Sequence, residues 1–133
     1  MIEYHGWITI QESASEADAG NLEGAVRAIR DQIGALGWNS GLLQLQASNG
    51  TYFLNIGGVA NRRNQEIEDI HSLLGYIGRI APGSYGLLYV RDDEHPAELH
   101  NEFRVFVMAR GRISEQGDSL LSPCIPVIED EAD

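Results

Sequence analysis

Apolar residues alternate from Ile2 to Ile10. Ile2, Tyr4, Ile8 and Ile10 fall on one side, with Glu3, His5, Trp7 and Thr9 on the other. A period of two is the mark of a half-buried strand. Gln11 to Gly20 is polar and reads as a loop, after which Asn21 is placed to cap a helix. Leu22, Val26, Ile29, Ile33 and Leu36 follow as one helical stripe, and Gly37 ends it. Leu42–Ser48 and Thr51–Ile56 read as two strands joined by Asn49-Gly50, a strong hairpin signal, with Gly57-Gly58 closing the second. Asn61 or Asn64 caps a second helix with the stripe Ile67, Ile70, Leu74 and Ile77, which Ala81-Pro82-Gly83 breaks. Two further strands, Ser84–Arg91 and Glu102–Arg112, flank an acidic loop at Asp92-Asp93-Glu94-His95-Pro96. The apolar stretch from Leu120 to Ile128 contains two prolines, which donate no ladder hydrogen bond, so an extended arm is expected there.

The order strand, helix, strand, strand, helix, strand matches the split βαβ plan, with one more strand beside the fourth. The expected fold is therefore α+β in two layers: an antiparallel sheet of about five strands with two helices on one face. Residues 1–128 are expected to form one domain, and 129–133 an acidic tail.

This plan leaves one sheet face without helices. Alternation assigns Ile2, Tyr4, Ile8, Leu43, Leu45, Tyr52, Leu54, Ile56, Leu88, Val90, Val105 and Val107 to the helix side. His5, Trp7, Phe53, Tyr85, Leu87, Tyr89, Phe106 and Met108 then occupy the other face, with Arg91, Arg104 and Arg110 at its margins. That face is unusually aromatic for a solvated surface. Three explanations stand: the C-terminal arm folds over it, it binds a protein, or it stacks single-stranded nucleic acid.

Charge weighs against the last. The chain has 20 acidic and 9 basic residues, a net charge of -11, and every basic residue is arginine. Residues 1–90 carry net -4, and residues 91–133 carry net -7. Such a field repels nucleic acid and anionic membranes and attracts basic surfaces. One cysteine, Cys124, allows no internal disulfide. The opening residues lack a basic stretch before an apolar run, and no apolar run is long enough to span a bilayer, so a cytoplasmic protein is expected.

Catalytic signals are faint. No phosphate loop is present, and Ser84 between glycines starts a strand, as a turn residue would, instead of forming a nucleophile elbow. The best cluster is Asp92, Asp93, Glu94, His95, Glu98 and His100. Its oxygen ligands suit a cation and its carboxylates suit acid–base work beside histidine, whereas the plainer reading is a solvated acidic turn. No catalytic residue, metal or cofactor is assigned.

Tyr4-His5-Gly6-Trp7-Ile8, Ser84-Tyr85-Gly86-Leu87-Leu88-Tyr89 with Asp92-Asp93-Glu94, Arg110-Gly111, and the stretch Asp118 to Asp130 with Leu121-Ser122-Pro123-Cys124-Ile125-Pro126 occur in this order. Together they resemble immunity protein family seven of bacterial polymorphic toxin systems, over nearly the whole chain. The resemblance implies a small α+β domain that binds a cognate toxin and neutralises it in the producing cell. It supplies no set of contact residues. The expected reading is thus a non-enzymatic toxin inhibitor, monomeric or weakly dimeric. Its partner-binding acids are placed at Asp92, Asp93, Glu94, Glu98 and Glu102, and the toxin is expected to be a nuclease. His5, Trp7, Phe53, Tyr85, Tyr89 and Phe106 are set apart as open-face aromatics, structural or partner-binding. The alternatives are a metal-dependent hydrolase built on residues 92–100 and a sheet that binds peptide or nucleic acid.

Overall fold

In the computed structural model, residues 1–12, 22–38, 41–61, 65–95 and 101–122 are described. Ile2–Ile10 forms β1, Leu22–Leu36 α1, Leu42–Ser48 β2 and Thr51–Ala60 β3. Gln65–Ile80 forms α2, Tyr85–Asp92 β4, Arg104–Ala109 β5 and Arg112–Gly117 β6. The strands make one sheet in the order β2-β3-β1-β4-β5-β6, and all five pairings are antiparallel. The first four strands keep the split βαβ order, with β1 at the centre.

Local signals account for most boundaries. Gly37 adopts φ 64°, the left-handed conformation that ends a helix, directly after α1. Asn49 and Gly50, at φ 54° and 77°, form the tight turn between β2 and β3. The candidate caps Asn21 and Asn64 lie outside the described residues.

The core lies between the sheet and the two helices. Ala25, Val26 and Ile29 of α1 and Ile67, Ile70, Leu73, Leu74 and Ile77 of α2 close on Tyr4, Ile8, Leu54, Ile56, Leu88 and Met108. Within this apolar layer the Tyr4 hydroxyl donates to Glu66 Oε2 at 2.9 Å. Burial, then the bond to Glu66, push the Tyr4 phenol well above its ordinary range, so it stays neutral.

Three expectations change. Gly57-Gly58 does not end β3, which runs on to Ala60 because Gly57 and Gly58 pair with His5 and Tyr4. A methyl group at Gly58 would sit 2.5 Å from the Tyr4 hydroxyl, so glycine lets the strand pass beneath that ring.

The expected strand Glu102–Arg112 is instead a strand that turns into a sixth. Arg110 and Gly111 take φ 53° and 74°, the paired left-handed conformations of a two-residue hairpin. The turn is clamped against α2, where a methyl group on Gly78 would meet the Gly111 carbonyl oxygen at 3.1 Å.

The alternation of β5 is also opposite to that expected. Leu88 pairs with Phe106, Gly86 with Met108 and Val90 with Arg104, so Arg104, Phe106 and Met108 face the helices. Val105 and Val107 face away with their partners Tyr89 and Leu87. Both parities of this strand are apolar, so periodicity alone selects neither. Packing decides: Met108 stands opposite a residue with no side chain, and Phe106 meets the His71 ring of α2 at 4.7 Å.

Candidate functional site

Two surfaces contain the residues singled out above. The first is the end of the sheet where β1 begins and β4 finishes. Asp92 ends β4, and its Oδ1 accepts the Glu94 amide at 3.0 Å, which folds the acidic turn back on the strand. Asp93 turns toward Met1, whose amino group it meets at 2.7 Å. That hydrogen bond, followed by charge from Asp93, Glu94 and Asp92 against some desolvation, raises the pKa of the amine. Glu98 and His100 lie outside the described residues.

Asp92 and Glu102 come together on the helix side, where a cleft of about 210 Å³ opens beside α2. Ile67, Val90 and Phe106 supply its apolar walls, and His71, His95, Arg104 and Glu115 join the two acids. Arg104 Nε donates to Glu115 Oε2 at 2.9 Å, so that cation is already compensated. Among the described residues Asp92, Glu94 and Glu102 make no ion pair. Also among the described residues, no group of three or more His, Cys, Asp or Glu is arranged to hold a metal ion. Glu115 and His71 were not foreseen, because only the hairpin and the packing of α2 bring them to Asp92.

The second surface is the face without helices. His5, Trp7, Phe53, Tyr85, Leu87 and Tyr89 lie on it as expected, whereas Phe106, Met108 and Arg104 lie on the opposite side. Leu42 and Val59, across from Gly57 and Glu3, belong to it as well.

Its lower margin is closed. The Phe103 ring, only 5% exposed, sits edge-on to His5 and to Tyr89 with centroids 6.3 Å and 5.9 Å away. Phe103 is fixed in turn by its amide donating to Ser122 Oγ at 2.9 Å and its carbonyl accepting from the Asp118 amide at 3.2 Å. Beside it Arg91, 4% exposed, reaches Glu3 Oε1 at 3.3 Å, while its Nε has no hydrogen-bond partner. Glu3 also accepts from His5 Nε2 at 2.7 Å. The hydrogen bond from His5, and then that from Arg91, hold the Glu3 carboxyl below the usual glutamate range despite partial burial.

Among the described residues the face is open at Trp7 and Tyr85. Trp7 is 43% and Tyr85 44% exposed, their rings edge to face at 6.2 Å. Much of the Trp7 ring is accessible. Of the extended arm expected from Leu120 to Ile128, residues 123–128 lie outside the described residues, as does the acidic tail. Leu120 and Leu121, at the start of the expected arm, are exposed.

Ser84 is structural. Its buried hydroxyl accepts from the Gln11 amide at 3.1 Å and donates to the Gln11 carbonyl at 3.3 Å, fixing the exit from β1.

No helix among the described residues is long and apolar enough to cross a membrane. No curated protein and no solved structure gives a significant match to the chain. The family model described as Immunity protein 7 matches residues 1–130.

Proposed function

The chain belongs to the Immunity protein 7 family, and from that premise we propose that it binds and neutralises a cognate toxin, a nuclease, inside the cell that makes both. The nuclease reading rests on one observation: Asp92, Glu94 and Glu102 cluster at one end of the sheet without an ion-pair partner among the described residues. Nearby cations are already engaged, Arg91 with Glu3, Arg104 with Glu115 and the Met1 amine with Asp93. The surplus carboxylates suit a basic cleft that otherwise receives phosphate. They speed association by steering and strengthen the complex through charge-assisted hydrogen bonds to arginine or lysine.

The test is to identify a toxin domain encoded by an adjoining gene and co-express it with and without this chain, scoring survival and co-purification. Survival only in its presence, with a stable complex, is the expected result. Changing Asp92, Asp93 and Glu94 to amides should slow association and flatten its salt dependence. Unchanged kinetics in that variant would remove the acidic end from the contact, and a toxin without nuclease activity would remove the nuclease assignment.

A further inference from the structure

The unpaired acids explain attraction, but an interface also needs a desolvated centre. We infer that the toxin's anchoring contact is the open half of the sheet face, centred on Trp7 and Tyr85, and that the acidic end serves as its charged margin. This rests on the immunity reading above and adds the surface that carries the affinity.

Of the large apolar residues exposed on strands of the sheet, Trp7, Leu42, Val59 and Tyr85 share this one face, with only Ile113 of β6 on the other. Trp7 lies on the central strand, bonded on both sides, so its position is rigid. Rigid, accessible Trp and Tyr are the side chains that dominate binding energy at protein interfaces. Gln44, Gln46, Asn55 and Gln116 supply an uncharged polar surround. The one charged group buried on this face, Arg91, is already compensated by Glu3. An apolar centre poor in charge and a polar rim is the anatomy of a protein interface.

Charge and area together choose the occupant. In a chain of net -11, a second copy docked here would set two strongly negative molecules against each other. Single-stranded nucleic acid meets the same repulsion, and the exposed arginine that β6 adds to this face, Arg112, stands at the edge of the sheet, away from Trp7. A toxin with a basic surface meets the opposite field. The four strands that carry these residues, β2, β3, β1 and β4, lie about 4.8 Å apart and run for about eight residues, a footprint of about 500 Å². A stable complex takes about 800 Å² from each partner. The face therefore needs the adjoining acidic end to complete an interface, which joins the two surfaces in one contact.

The experiment measures binding of the catalytically inactivated neighbouring toxin domain to the wild-type protein and to Trp7→Ala, Tyr85→Ser and Asp92→Asn/Glu94→Gln variants. Circular dichroism confirms that each variant is folded. Trp7→Ala should weaken binding by about thirty-fold or more, through faster dissociation. Tyr85→Ser, a milder change, should act in the same direction. The acidic double variant should change mainly the association rate.

If the wild type binds and protects while both aromatic variants bind as it does, the sheet face is not the anchor and the immunity reading stands. If the wild type neither binds nor protects, both fall. A dimer broken by Trp7→Ala, or a labelled oligonucleotide held at low salt and released by Trp7→Ala, would overturn the assignment of occupant.

Discussion

The two faces of this sheet are built from similar residues and behave differently. On the helix side Tyr4, Ile8, Leu54 and Leu88 are sealed beneath α1 and α2. On the other side Trp7, Tyr85, Val59 and Leu42 stay accessible, although they belong to the same strands or their neighbours. Hydrophobicity alone therefore does not say which positions hold the fold together. Cover does, and the helices supply it on one side only.

The largest expected effect separates the faces directly. Ile8→Ala opens a cavity in the sealed core and should cost about 2–5 kcal/mol in chemical denaturation. Trp7→Ala removes a larger side chain and should cost less, about 1–2 kcal/mol, because much of the ring is already hydrated. A loss above about 3 kcal/mol at Trp7 would mean that its face is covered, and the contrast would collapse.

Gly86→Ala tests how closely β4 approaches β1 on the sealed side. Its methyl group would run into the Trp7 carbonyl oxygen and lie 2.8 Å from the Ile8 Cα. An overpacking loss of about 3 kcal/mol is expected by thermal melting, and an unchanged melting temperature would refute the register.

Glu3→Gln probes the one charged contact buried at the margin of the open face. It leaves Arg91 without its counter-charge, and the loss should be about 1 kcal/mol, tempered by solvent at Glu3. The carboxyl is held below its ordinary range, so its contribution is complete above the unfolded value and fades as pH falls through the lowered folded one. Stability measured from neutral to acidic pH should therefore fall less steeply in Glu3→Gln than in the wild type.

The smallest effect is expected from Tyr4→Phe, which removes the bond to Glu66 and keeps the ring, at about 1 kcal/mol or less.

Much of the sealed face was legible in the sequence. Ile2, Tyr4 and Ile8 alternate with Glu3, His5, Trp7 and Thr9, both helices show one apolar stripe, and Asn49-Gly50 announces its turn. β5 was not legible in the same way. Phe103, Val105 and Val107 are apolar, and so are Phe106 and Met108, so its face was settled by Gly86 across the ladder. β6 was missed because Arg112–Gly117 is exposed throughout and carries no hydrophobic alternation. Its one signal was Arg110-Gly111, read as a family motif and not as a turn.

The candidate site divides similarly. Trp7, Tyr85 and Tyr89 reach the open face by strand parity, whereas Phe106 was placed there through the same inverted alternation. The meeting of Asp92 with Glu102, His71 and Glu115 depends on distant pairings that no local pattern encodes.

The central place of β1 has a consequence for timing. Its partners are β3 and β4, so Tyr4 pairs with Gly58 on one side and Val90 on the other. On the ribosome, at about 5–20 residues per second, this strand waits for most of the chain before its second ladder can close. Contacts so far apart in sequence also slow folding itself. The finished sheet, and any surface that depends on both of β1's ladders, therefore forms only late in synthesis.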